Sequence, residues 1–283
     1  MSATADAATL RDVRGPSALS GSTRRFFTLT WLMSVTEFKL NYFGTVFGYI
    51  WSLMRPLMLF AVLYVVFSRI ARFGAGVPHY PVVLLTGVML YSFFSEATTR
   101  SVSSVLMGEN IVRKMQFPRL AIPLSVVLTT LFNLALNMVV VFAFILASGI
   151  EPRWTWLAMP LLIAALLVLT AGTAVLLSAL FVRFRDVSQI WGVLTLVIFY
   201  ASPILYPVEK LPSGLRFLLF VNPLAPLIDA ARRLLIDPGA PSTTAVVGGN
   251  PLAIIGPLLV VVAVCVAGFW VFAREAPRIA EEL

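Results

Sequence analysis

Across 283 residues the sequence has one cysteine, one histidine and three lysines, and each shortage removes a class of chemistry. Cys265 stands alone inside an apolar run, so neither a disulfide framework nor a thiolate metal site can be built. A lone His79 excludes H-E-x-x-H and the other histidine-based metal motifs. None of Lys39, Lys114 and Lys210 follows a glycine, and G-x-x-x-x-G-K-[ST] does not occur, so the chain lacks a P-loop for nucleotide. Ser202 precedes a proline without a G-x-S-x-G context or a histidine partner. These absences argue against an enzyme active site and leave transport, with any uphill step powered elsewhere. Charge is scarce as well: 12% of residues are charged, against about 25% in a soluble domain.

What the sequence has instead is hydrocarbon. Hydrophobic residues make up 59% of the chain and the mean hydropathy is +0.93, which places it in a bilayer. A crossing needs roughly 20 apolar residues to span ~30 Å. Charge-free runs of that length are Phe73 to Ser95, Leu120 to Ile150, Trp154 to Val182, Val187 to Val208, and Pro238 to Ala273, the last strongly apolar from Pro251. A sixth extends from Phe47 and Trp51 through Ser68 if Arg55 snorkels at an interface. The expected fold is an all-α integral membrane protein with six transmembrane helices.

With the N-terminus cytoplasmic, 13 of the 21 Lys and Arg fall inside and 7 outside, Arg100 lying between. The bias predicts that both termini are cytoplasmic. The net charge of +8 then reflects membrane topology and attraction to anionic lipid, with no nucleic-acid footprint. The first 25 residues lack an apolar core, so no cleavable signal peptide is expected. Residues 1–21 read as a disordered cytoplasmic tail, 22–273 as one transmembrane domain and 274–283 as a cytoplasmic C-terminal tail.

Between Arg24 and Arg55, aromatics alternate with Arg24, Arg25, Glu37 and Lys39, the pattern of a helix lying in the membrane interface. Gly44 and Gly48 offer the turn into the first span. In the second span Ser92, Glu96, Thr99 and Ser103 share one helix face, and Glu96 with Arg100 forms an i,i+4 pair. That intramembrane pair serves either as glue between helices or in substrate passage. Asn133 and Asn137, one turn apart in the third span, predict interhelical hydrogen bonds. Prolines 203, 207, 212, 223, 226, 238 and 241 break the segment after span five into short apolar pieces, which read as re-entrant outer helices between helices five and six.

Four stretches, in this order, carry a resemblance: Lys39-x-x-Tyr42-x-Gly44-Thr45-x-x-Gly48-x-x-Trp51-x-x-x-x-Pro56, Glu109-Asn110-Ile111-Val112-Arg113-Lys114-Met115-Gln116-Phe117-Pro118-Arg119, Phe184-Arg185-Asp186, and Ser202-Pro203-Ile204 with Asn222-Pro223. From about Phe26 to Phe272 the chain resembles the permease subunits of ABC-2 type exporters that move polysaccharides, teichoic acids and other polyol-phosphate polymers out of bacteria. Glu37 departs from the family's usual basic residue nearby.

The resemblance implies a half-transporter of the bacterial cytoplasmic membrane. Two copies would pair, two copies of a separate P-loop ATPase would dock beneath them with ATP and Mg²⁺, and a lipid-linked glycan would be exported. This chain itself would hold no cofactor and no metal. Glu109, Asn110, Arg113, Lys114, Phe117, Pro118 and Arg119 would form the loop coupling it to the ATPase. Arg24, Arg25, Lys39 and Tyr42 would belong to a gate helix reading the substrate headgroup, although membrane anchoring explains the same basic residues. Tyr49, Trp51, Tyr91, Phe93, Phe94, Phe199 and Tyr200 would be the aromatics of the polymer path, packing being their other role. Export of a small molecule, drug or lipid within the same superfamily is the alternative function.

Overall fold

The computed structural model describes residues 23–42, 48, 50–70, 76–107 and 118–275. The expected tail 1–21, Gly44 and Tyr49, and the loop from Glu109 to Phe117 lie outside the described residues. Eight helices organise the rest. They are α1 (Thr23–Tyr42), α2 (Ile50–Tyr64, continued as a π-helix over Val65–Ile70), α3 (Tyr80–Val102), α4 (Ala121–Ala147), α5 (Met159–Arg183), α6 (Val187–Ala201), α7 (Leu224–Leu235) and α8 (Leu252–Glu275). Shorter single turns punctuate the connections, and no strand occurs among the described residues.

Among the described residues, four helical segments are long and apolar enough to cross a bilayer: α3, α4, α5 with the turn that leads into it from Trp154, and α8. The segments Ser213–Val221 and Leu224–Leu235 are bent by 97° at the Asn222-Pro223 break, and would make a fifth if counted as one broken span. This is a multi-pass all-helical membrane protein. Burial ranks the spans: 78% of the apolar window of α3 is buried against 17% of that of α8, so α3 is the hub and α8 a peripheral helix.

Local chemistry sets the boundaries. The second apolar run begins at Phe73, but its helix begins only at Tyr80, because Gly76 (φ 79°) and His79 (φ 49°) are left-handed and Pro81 occupies the first turn. The His79 carbonyl accepts from the backbone N–H of Val82 (2.9 Å) and Val83 (3.2 Å). At the end of α4, Gly149 takes a positive φ of 76° and its N–H donates to Leu146 O, a glycine C-terminal stop. The run from Val187 to Val208 is helical only to Ala201, since Pro203 has no N–H to continue the ladder. Fifteen residues of α6 reach about 22 Å at 1.5 Å per residue.

The break after α6 is built by two of the motif stretches acting together. The Asn222 side-chain amide donates to Ser202 Oγ (2.9 Å) and Ala201 O (3.3 Å), while Asn222 Oδ1 accepts from the Leu224 N–H (3.0 Å). One carboxamide therefore meets backbone groups at both proline breaks, Ala201 O and the Leu224 N–H, and also donates to Ser202 Oγ, whose own proton goes to Ile198 O. Ile204 packs onto α3 where Gly87 leaves room, and Tyr80 donates its hydroxyl to Leu205 O (2.8 Å). Behind this break, Arg232 on α7 grips Glu209 with two bonds (2.9 and 3.1 Å), and Asp229 accepts from both the N–H and the hydroxyl of Thr243.

A close helix crossing joins α5 to α8. A Cβ placed on Gly268 would lie 2.7 Å from Gly172 O, and one on Gly172 would lie 2.5 Å from Cys265 Sγ. Small residues let the two backbones touch, the usual way for helices to associate where lipid removes the hydrophobic drive. Substituting Gly268→Val must push the helices apart. We expect a cost of about 1–3 kcal/mol, seen as a lower unfolding midpoint in detergent, whereas Gly192→Ala, whose Cβ meets nothing within 4 Å, does not lower the midpoint.

Candidate functional site

α1 packs lengthwise against α4. Phe26, Leu29 and Met33 cover Ala121 and Ile122. Further along, Ser34 Oγ donates to Ser125 O (3.1 Å), Thr129 Oγ1 donates to Ser34 O (3.3 Å), and the Tyr42 hydroxyl donates to Asn133 Oδ1 (2.6 Å). The contacts advance together on both helices, so α1 runs beside α4 in the same direction. The interface-plane helix expected from composition thus rides along the flank of a spanning helix, with Thr30 and Ser34 as its buried side. Arg24, Arg25 and Lys39 are exposed on its other faces.

Arg100 ties this helix to α3. Its Nη2 donates to Glu37 Oε1 (3.0 Å) and its Nη1 to Glu96 Oε1 (3.3 Å), while Thr129 Oγ1 donates to Glu37 Oε2 (3.4 Å). The i,i+4 spacing gave the Glu96–Arg100 contact. It did not give Glu37, which stands 63 residues before Arg100 in sequence and closes a triad of two carboxylates about one guanidinium.

Above the triad, α2, α3 and α4 enclose a cleft of about 840 Å³, with Tyr42 of α1 at its edge, a size ordinary for ligand sites. Its two sides differ. α2 contributes Trp51, Met54, Met58 and Leu59 together with Arg55, which makes no hydrogen bond or ion pair with another described residue. α3 and α4 contribute Ser92, Ser95, Glu96, Thr99, Asn133 and Asn137. Asn137 is 6% exposed and its Oδ1 has no hydrogen-bond partner.

The expected path aromatics divide between cleft and core. Trp51, Tyr91 and Phe93 line the cleft. Tyr91 also donates to Thr195 O and meets Phe199 edge-on at 5.0 Å; Phe94 in turn meets Trp191, whose Nε1 donates to Thr98 Oγ1 (3.1 Å). Phe94 and Phe199 are buried in that cluster between α3 and α6, and Tyr200 is exposed on α6. Of the expected coupling loop, Pro118 and Arg119 are described, and both are buried. Arg119 is 1% exposed with Nε and Nη1 unpaired, and burial lowers its guanidinium pKa from the ordinary value. Neither the Glu37 bond nor the unpaired Asn137 oxygen has a local sequence signal, because each depends on which helices become neighbours.

Glu37, Arg100 and Glu96 are each about one-third exposed, so the triad contributes at the level of a partly screened ion pair. A double-mutant cycle of Glu37→Ala and Arg100→Ala, read by denaturant unfolding in detergent, is expected to return a coupling of about 0.2–1 kcal/mol. A coupling of zero would separate α1 from α3 energetically.

Compared with known proteins, residues 28–236 match the family model described as ABC-2 type transporter. The chain is 30% identical over 212 residues to the O-antigen export system permease protein RfbA of Klebsiella pneumoniae, covering 75% of this chain and 81% of that protein. It is 25% identical over 236 residues to the O-antigen export system permease protein RfbA of Myxococcus xanthus, covering 83% of this chain and 85% of that one. Against the polysialic acid transport protein KpsM of Escherichia coli it is 22% identical over 186 residues, covering 65% of this chain and 72% of that one.

Proposed function

Because the chain belongs to the ABC-2 type transporter family, we propose that it is the transmembrane permease subunit of an ATP-driven exporter moving a lipid-linked polysaccharide across the bacterial cytoplasmic membrane. The observation that carries this is the similarity spanning 81% of an O-antigen export permease. A polar-walled cleft among the spans supports it, since ionisable and amide groups at membrane depth accompany a substrate route.

In this reading 22–273 form one transmembrane domain of six crossings. α2 with its π-helical end supplies the first, α3, α4 and α5 the next three, and α8 the last. α6 completes the fifth with the residues that follow Ser202. An even number of crossings puts both termini on one face, and the excess of basic residues makes that face cytoplasmic, with 1–21 and 274–283 as its flanking segments. α1 then stands at the cytoplasmic headgroup level as the gate helix, with Arg24, Arg25 and Lys39 toward lipid phosphates or the substrate's phosphate. The bent pair ending in α7 forms the outer re-entrant element.

Energy enters from a separate P-loop ATPase that holds ATP and Mg²⁺, two copies serving two copies of this chain. The segment Glu109 to Arg119 is the coupling loop. Glu109, Asn110, Arg113 and Lys114 are partners for a charged groove, Phe117 is the apolar knob, and Pro118 with buried Arg119 roots the loop in the bundle. Trp51, Tyr91 and Phe93 border the polymer path. With Arg113→Ala and Lys114→Ala combined, substrate-stimulated ATP hydrolysis of the reconstituted complex is expected to fall at least about tenfold, in line with the loss of charged interface contacts. Unchanged stimulation would remove the loop from the coupling role.

A further inference from the structure

The cleft's polar wall presents hydroxyls of Ser92, Ser95 and Thr99 and, beside them, acceptors that are not used up. Asn137 Oδ1 is a buried acceptor without a donor, and Glu96 is a carboxylate with acceptor capacity left beyond Arg100. Asn133 Oδ1 already accepts from Tyr42. α4 is 27 residues long from Ala121, and Asn137 stands sixteen residues from its start, roughly 24 Å along the helix. α1 ends at Tyr42 beside Asn133, and Asn137 lies one helical turn farther along α4 in a buried setting, where an unmet amide oxygen is expensive. A ligand that satisfies it must donate. A phosphate group offers acceptors only, and a lipid tail offers nothing. A sugar offers several hydroxyl donors along its edge and apolar C–H faces above and below its ring, which matches one wall of amides and carboxylate facing a wall of Trp51, Met54 and Met58.

We propose that this cleft is a saccharide subsite, in which Asn137 accepts a hydroxyl of one sugar unit, Asn133 and Glu96 hold its neighbouring hydroxyls, and Trp51 covers the ring face. The assignment rests on the polysaccharide-export function and adds to it the place where the chain itself is read, apart from the phosphate-binding role given to α1. Thr130, on the same face of α4, lines the cleft below the two asparagines. Arg55, across the cleft, is available to an acidic substituent or to the phosphate next to the first sugar.

The test uses the intact permease–ATPase complex in lipid nanodiscs. The probes are polysaccharide freed of its lipid by mild acid, from cells that encode this chain, and the same polymer still lipid-linked. Saturation-transfer NMR reads contact of sugar protons with the protein, and ATP-driven uptake of the lipid-linked polymer into inverted vesicles reads KM and kcat separately. Asn137→Leu, which keeps the branching and removes both polar atoms, is expected to weaken saccharide binding and raise KM about tenfold, the size of one lost buried hydrogen bond. Asn137→Asp, which keeps an acceptor oxygen, is expected to retain binding within about threefold. Trp51 is exposed, so Trp51→Leu folds readily and reports on the opposite wall; it too should raise KM about tenfold. Equal affinity and KM in wild type, Asn137→Leu and Trp51→Leu would overturn the subsite while leaving export by the wild-type complex intact. A lowered melting midpoint of Asn137→Leu with unchanged saccharide affinity would assign the residue to helix packing and overturn the subsite equally. A wild-type complex that moves no saccharide under ATP would overturn the export function and the subsite together.

Discussion

A bilayer supplies no water to finish an incomplete hydrogen bond, and the arrangement of this chain follows from that shortage. Hydroxyls inside the spans turn back on their own helix: Thr86 donates to Val82 O, Thr98 to Phe94 O, Thr170 to Leu166 O and Thr173 to Leu169 O. Charges are paired both across helices and within one, as in the grip of Arg100 on Glu37 of α1 and on Glu96 of its own helix. Where prolines break the ladder after α6, Asn222 satisfies the groups set loose. Beside these satisfied hydroxyls, the unpaired oxygen of Asn137 is set apart by its place on the wall of an open cleft, where a ligand can reach it.

The long, uninterrupted crossings were legible in the sequence because twenty apolar residues between charges have few other destinations. α4 and α5 sit close to their predicted limits, Leu120 to Ile150 and Trp154 to Val182. Legibility ended where composition stayed apolar but backbone chemistry changed. Left-handed His79 and Gly76 delay α3, and Pro203 stops α6 in a run that contains no charge until Glu209. Neither boundary is visible to hydropathy, although the Ser202-Pro203 and Asn222-Pro223 pairs marked the second one.

The site was legible in part for a related reason. Glu96 and Arg100 meet through helix periodicity, which sequence contains. Glu37 joins them through the pairing of α1 with α4, which sequence does not contain. The same distinction sorts the aromatics. Trp51 and Phe93 both border the cleft, whereas Phe94, next in sequence to Phe93, turns by one helical step into the cluster with Trp191. In sequence Glu37 is one charge among the aromatics of α1; in the fold it is one end of the strap between α1 and α3.

The glycine crossing of α5 and α8 bears on how force travels. Near its far end the same α8 presses the backbone of Gly256 against Phe220 O, in the turn that leads to α7. At both places main chain meets main chain, so no layer of side chains is available to absorb a displacement. α8 is therefore pinned main chain to main chain at two points, to α5 in its C-terminal half and to the turn before α7 near its start, and any shift of one partner must be met by backbone movement of the other rather than by side-chain repacking.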